Sequence, residues 1–78
     1  MIEKKEVFKK KLGKRIEHLR IAAGFTQEKL GSLLDGKDRQ FINRYENEGA
    51  NPTAYILSQL AKVLNVTVNE LLDFSEVE

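Results

Sequence analysis

Five side chains that can form directed hydrogen bonds lie close together in the middle of the chain: Lys37, Arg39, Gln40, Asn43 and Arg44. Arginine can donate to O6 and N7 of guanine, and glutamine or asparagine can pair with N6 and N7 of adenine. These residue types therefore indicate recognition of base edges in a nucleic acid. Any solvent-exposed helix surface has a similar composition, so an unspecialised polar surface stays open as the other interpretation.

A helix must carry these polar residues, and the apolar residues between them predict its orientation. Ile42 and Tyr45 lie three positions apart and should face the interior, with Phe41 at the edge of that face. Asp38 is a suitable N-cap, so the sequence predicts a helix over about 38–47. Tyr45 fits a core position better than base stacking, whereas Phe41 fits either the core edge or contact with a thymine methyl group.

A shorter helix is predicted immediately before this one, over about 26–34. Thr26 is a good N-cap for it. The backbone N–H groups at this helix start, together with the amide of Gln27, would suit a phosphate. Asp35-Gly36 signals a turn, which gives the order helix, turn, helix.

Apolar spacing predicts three further helices. The first carries an apolar stripe at steps of three and four and ends at Gly24, a favourable residue after a helix end. Gly13 interrupts this stripe, so the regular helix is expected over about 7–23 or from near Gly13 onward. Another helix begins after Asn51-Pro52-Thr53, and a short last helix begins at a Thr67–Glu70 capping box. The stripe of the first helix consists of Phe8, Leu12, Ile16, Leu19 and Ala23.

The predicted fold is therefore all-α, with five helices on one core and the last helix ending near Phe74. The 78 residues allow one domain over 1–78, with a core over about 8–74. No apolar run approaches the roughly 20 residues of a membrane span, so no membrane association is expected. The absence of cysteine excludes disulfides and thiolate metal sites. We expect a cytoplasmic protein without a metal or other cofactor.

Charge is unevenly distributed along the chain, although the net charge at pH 7 is only +1. The first 20 residues are rich in lysine and arginine, including Arg15 and Arg20, whereas the last nine contain acidic residues and no basic one. Such a dipolar distribution can steer one face toward phosphate. A solvated helix face would explain the lysines of Lys4–Lys11 equally well.

The segment Leu12–Leu72 resembles the phage-repressor-like helix-turn-helix family, which includes the Cro and lambda repressors and the Xre-type regulators. Each matching segment is common alone, but their order and spacing are specific. The segments are LGKRIEHLR (12–20), GFTQEKL (24–30), FINRYEN (41–47), NPT (51–53) and LAKVLNV (60–66).

This resemblance implies a compact, five-helix, lambda-repressor-like DNA-binding domain, and it implies roles for individual residues. Arg39 and Gln40, at the start of the recognition helix, would reach bases. Arg44 would reach a base or the adjacent phosphate, and Gln27 would touch a phosphate and brace the recognition helix. The complete expected contacts are Arg39, Gln40, Asn43 and Arg44 for bases, and Thr26, Gln27, Lys37 and Asn47 for phosphates.

Two further expectations concern contacts within and between chains. Arg20 and Glu46 occupy positions where the family usually has an arginine–glutamate pair, so an ion pair between the first and third helices is expected. One recognition helix covers only a few base pairs, so we expect a homodimer that pairs through the last helix. Leu72, Phe74 and Val77 are the candidates for that contact, or else they complete the core of their own chain.

Three features depart from the family pattern. The turn through Leu34-Asp35-Gly36-Lys37 is one residue longer than usual, which affects how the recognition helix is presented. Gly31 stands where the family prefers alanine and is expected to loosen the second helix slightly. In the family a glycine usually follows Glu-Asn, but here Glu48 stands at that position and the glycine is displaced to Gly49. Glu48 also adds negative charge near a surface that should meet phosphate.

The expected function is sequence-specific binding of double-stranded DNA by a transcriptional regulator. The alternative is an antitoxin or another helical protein-interaction module that holds a toxin or a co-regulator, with little or no DNA binding. Arg39, Gln40 and Arg44 favour DNA, whereas the near-neutral net charge and Glu48 favour the alternative. An enzyme is not expected, because the sequence shows no nucleophile–base arrangement or phosphate loop, and its only histidine, His18, fits a surface position.

Overall fold

Side-chain caps begin four of the five helices in the computed structural model, which describes residues 4–77. The hydroxyl groups of Thr26, Thr53 and Thr67 and the carboxylate of Asp38 each accept a hydrogen bond from the backbone N–H three residues later. Each cap satisfies a donor that a helix start otherwise leaves unpaired. The helices are α1 (Lys5–Ala22), α2 (Gln27–Ser32), α3 (Arg39–Glu48), α4 (Ala54–Val63) and α5 (Val68–Leu71).

All five helices contribute to the buried core or lie against it, and residues 4–77 contain no β-strand. The predicted all-α, five-helix fold is therefore confirmed. Residues 1–3 and Glu78 of the predicted domain over 1–78 lie outside the described residues. No helix within 4–77 is long and apolar enough to cross a membrane. The core consists of Leu12, Ile16, Leu30, Leu34, Ile42, Ala50, Leu60, Ala61, Leu64 and Leu71.

α1 continues without interruption through Gly13, so the alternative start near that glycine is wrong. The backbone of α3 packs directly on this glycine, and a Cβ atom there would overlap the carbonyl oxygen of Tyr45. Glycine is therefore needed at this position for the close approach of two helices, not to break one of them. Lys5, the first residue of α1, precedes the predicted start by two residues.

α2 is shorter than predicted because a tight turn follows it. The helix ends at Ser32 rather than at residue 34, since Asp35 and Gly36 adopt left-handed φ angles of 56° and 69°. Within this turn Leu34 is fully buried, whereas Leu33 is 40% exposed. The turn therefore contributes one leucine to the core before the chain enters α3.

The segment after α5 (residues 72–77) folds back onto α1, so the prediction that the last helix extends to Phe74 is wrong. Arg15 on α1 holds both α5 and this segment: its Nε and Nη2 atoms donate to the carbonyl oxygen of Glu70 in α5 at 3.0 and 2.9 Å. Its Nη1 atom donates to the carboxylate of Glu76 at 2.7 Å. Arg15 is only 6% exposed, so it anchors the C-terminal segment and adds little to the basic surface predicted for the first 20 residues.

Candidate nucleic-acid interface

The four residues predicted to contact bases all lie on the exposed side of α3. Arg39, Gln40, Asn43 and Arg44 are each exposed, and together with Glu48 they line one open, polar depression. Their guanidinium and amide groups supply the paired donors and acceptors that base edges require. The carboxylate of Glu48 lies at the C-terminal end of the same surface, where it contributes the only negative charge among these five residues.

Two buried residues fix the rotation of α3 about its axis. Ile42 is fully buried, and the side chain of Glu46 has no exposed surface. Residues four apart lie on the same side of a helix, so both point toward the interior. The exposed polar residues of α3 must consequently point away from the core.

The carboxylate of Glu46 is the centre of a hydrogen-bond network that joins α1, the start of α2 and α3. Arg20 donates to it twice, from Nε to Oε2 at 2.7 Å and from Nη2 to Oε1 at 3.1 Å, and this bidentate geometry is characteristic of strong charged pairs. Gln27 Nε2 donates to the same Oε1 atom at 2.9 Å, and Arg20 Nη1 donates to the carbonyl oxygen of Phe25 at 2.8 Å. Hydrogen bonding to Glu46 raises the pKa of Arg20. The expected pair between Arg20 and Glu46 is present and largely buried.

The start of α2 places two of the predicted phosphate contacts beside α3. The Thr26 hydroxyl caps α2 while the residue stays exposed. Gln27 donates to Glu46, and its Oε1 atom makes a long contact of 3.5 Å with Nδ2 of Asn43. Gln27 thus braces α3 against α2, and Asn47 donates within α3 to the carbonyl oxygen of Asn43 at 3.1 Å. A phosphate contact by any of these residues stays a prediction.

Lys37, another predicted phosphate contact, makes a cation–π contact at the entrance to α3. Its Nζ atom lies 5.3 Å from the centre of the Phe41 ring, a distance at which a cation is attracted to the ring face. The Phe41 ring packs in turn on Tyr45, with ring centres 4.6 Å apart. Phe41 and Tyr45 are both half-buried, so the inward orientation predicted for Tyr45 is only partly realised.

One contact near the site has no counterpart in the sequence-based predictions. Hydrogen bonding to Asp35, in the turn between α2 and α3, and the negative charge of Asp35 raise the pKa of Tyr55 at the start of α4. No local pattern indicates this contact, because it depends on how α4 crosses the turn.

Two of the three dimer candidates pack within their own chain. Leu72 and Phe74 pack against the core, and the Phe74 ring lies edge-on against Phe8 with ring centres 5.5 Å apart. Val77 is half-buried and borders the same shallow depression as Ile21, which is 61% exposed. Leu72 and Phe74 therefore complete the chain's own core, and all three candidates keep part of their surface accessible.

His18 lies at the surface, with its Nε2 atom 3.7 Å from the carboxylate of Glu76 and 41% of its side chain exposed. Within residues 4–77, no group of three or more histidine, aspartate or glutamate side chains is arranged to hold a metal ion.

Comparison with known protein families gives one match: residues 16–71 fit the family described as Helix-turn-helix. The matched range begins in α1 and ends with α5, so it contains the whole surface described above. No curated protein sequence matches the chain.

Several solved structures share this architecture. The restriction-modification controller protein C.AhdI from Aeromonas hydrophila is 34% identical, with a TM-score of 0.68 over 80% of this chain and 92% of that chain. SinR, a master regulator for biofilm formation solved in complex with DNA, is 28% identical, with a TM-score of 0.70 over 80% of this chain and 98% of that one. The P22 c2 repressor, solved with a synthetic operator, is 25% identical, with a TM-score of 0.70 over 82% and 96% of the two chains.

Proposed function

The chain belongs to the helix-turn-helix family, and we propose that it binds double-stranded DNA sequence-specifically as a transcriptional regulator in the cytoplasm. The observation that carries this function is the exposed face of α3. Arg39, Gln40, Asn43 and Arg44 share this face, and the buried Ile42 behind them fixes its direction. The similar structures described as regulators, two of them solved with DNA or an operator, support the same function.

The docking follows from the helix positions. The N-terminal end of α3 enters the major groove, as in repressors of this architecture, and brings Arg39 and Gln40 to base edges. The start of α2 then meets the phosphate backbone, where N–H groups at a helix N-terminus attract anions. The proposed base contacts are Arg39, Gln40, Asn43 and Arg44, and the proposed phosphate contacts are Thr26, Gln27, Lys37 and Asn47.

Salt dependence tests whether DNA is the partner. The logarithm of the binding constant should fall linearly with the logarithm of the salt concentration, because each phosphate contact releases counterions. Lys37→Ala should lower affinity about equally for all sequences and reduce the magnitude of the slope by about 0.9 for each bound chain. Fluorescence anisotropy titration at several salt concentrations measures both quantities. Gln27→Ala is a less suitable variant, because Gln27 also donates to the buried Glu46.

Lys62→Ala provides the matched control, since Lys62 is an exposed lysine on α4 outside the α2–α3 unit. Its slope should equal that of the unsubstituted protein. A flat salt dependence for the unsubstituted protein would contradict DNA binding. It would favour the alternative function, an antitoxin or co-regulator-binding module, which the negative charge of Glu48 on the α3 surface also favours.

We also propose that the protein acts as a homodimer on an inverted repeat, with the two α3 helices roughly 34 Å apart. The dimer contact would use the accessible parts of Leu72, Phe74 and Val77, together with Val68, which is 38% exposed on α5. Footprinting should show two related half-sites centred one DNA turn apart, and sedimentation should show two chains per site. Protection of a lone half-site by one chain would contradict the dimer.

A further inference from the structure

The turn between α2 and α3 passes directly over the backbone of α2 at Gly31. A Cβ atom at this position would lie 2.8 Å from the carbonyl oxygen of Lys37 and 2.8 Å from that of Asp38, which is closer than real Cβ atoms come to other atoms. Both neighbours are backbone atoms, so they cannot rotate away as the end of a flexible side chain could. Any residue larger than glycine must therefore displace either the turn or α2.

The backbone geometry and hydrogen bonds of the turn leave it little freedom to absorb such a displacement. Asp35 and Gly36 already occupy two consecutive left-handed conformations. Asp38 is tied to α3, because its carboxylate accepts a hydrogen bond of 2.9 Å from the backbone N–H of Phe41. Within the turn, the backbone N–H of Lys37 donates to the carbonyl oxygen of Leu34 at 3.3 Å. A displacement of the backbone at residues 37 and 38 consequently displaces the N-terminal end of α3 as well.

From this geometry we infer that Gly31 is a positioning residue for base recognition: it sets where Arg39 and Gln40 stand relative to the DNA. These two residues follow directly after the carbonyl groups that contact Gly31. Further along, α3 is fixed by the buried Ile42 and Glu46, so a displaced N-terminal end must pivot about them. Gly31 carries the helix-propensity cost of a glycine, and its missing side chain also matches α2 to this turn.

The expected consequence is a selective loss of specificity. Hydrogen bonds to base edges weaken steeply with distance and angle, so a shift of a few tenths of an ångström at Arg39 disturbs them. Phosphate contacts position the protein but carry no sequence information, and charge attraction tolerates such a shift. This inference rests on the proposed function for its DNA readout.

The test compares Gly31→Ala with Ser32→Ala, a neighbouring substitution at an exposed position of the same helix. Affinities for the preferred site and for a random duplex are measured on the same preparation. The ratio of the two affinities is then independent of any unfolded fraction. In Gly31→Ala the ratio should fall by about tenfold, with the affinity for the random duplex and the salt slope changed by less than about twofold. Equal losses on both duplexes, or no loss on either, would overturn the inference.

A second measurement decides the structural part without DNA. Backbone amide resonances of the free protein should shift at residues 37–41 in Gly31→Ala and stay unchanged there in Ser32→Ala. Unchanged resonances over 37–41 would overturn the inference whatever the DNA results. If the unsubstituted protein has no preferred site, the proposed function fails, and the amide resonances still decide whether Gly31 positions α3.

Discussion

Arg20→Met is expected to lower the free energy of unfolding by about 3–5 kcal/mol, the usual cost of removing one partner from a buried ion pair. The Glu46 side chain has no exposed surface, so water cannot replace the lost guanidinium group. Gln27 still donates to the carboxylate, but a neutral amide does not compensate its charge. Small domains have only about 5–15 kcal/mol of stability in total, so this loss would leave the fold marginal.

Urea unfolding followed by circular dichroism measures this change, and Lys14→Met is the matched control. Lys14 also pairs with Glu17 on α1, at 3.4 Å, but the two side chains are 50% and 31% exposed, and solvent-accessible pairs contribute about 0–1 kcal/mol. A loss in Arg20→Met no larger than in this control would contradict the importance of the buried pair. Arg20→Met combined with Glu46→Leu should recover much of the loss, because no charge is then stranded.

Arg39→Ala is expected to weaken binding to the preferred site by about 1–3 kcal/mol per half-site and to relax preference at one base pair. The side chain is exposed in the first turn of α3, so its removal leaves the core unchanged. The loss should therefore appear in DNA affinity and not in the free energy of unfolding. This difference separates the readout role of Arg39 from the structural role of Arg20.

Competition titrations against single-base-pair variants of the site measure the change in preference. Arg44→Ala is the informative comparison, because a residue that also contacts phosphate should lower affinity for all variants more evenly. An unchanged order of preference in Arg39→Ala would contradict the readout role. A fall in stability similar to that of Arg20→Met would show instead that Arg39 supports the fold.

The helices themselves were predictable because their signals are local. Thr26, Asp38 and Thr67 were identified as caps from residue type and position, and each caps the predicted helix. The rotation of α3 about its axis, and so the side that it exposes, followed from the apolar position of Ile42. The resemblance to repressors supplied the pairing of Arg20 with Glu46, which residue spacing alone would not have indicated.

The sequence-based predictions were wrong at residues whose contacts are with segments remote in the sequence. Gly13 was interpreted as a helix interruption because its partner, Tyr45 on α3, is remote in sequence. Arg15 was counted as surface charge, although its position between Leu12 and Leu19 at helical spacing was a sign that it borders the apolar stripe. Its partners lie at the other end of the chain, so only the folded structure reveals them.

The two sides of α3 have different consequences for how such a protein can evolve. The ten residues of α3 carry the proposed DNA contacts on one side and the buried Glu46 on the other. If Arg39, Gln40 and Arg44 make the proposed contacts, substitutions at these exposed positions would change the preferred operator without a penalty in folding, and single mutations would give access to new target sequences. Changes at Arg20 or Glu46 would lower the stability of the fold whatever the operator is. One stable scaffold can therefore diversify into regulators of many different sites.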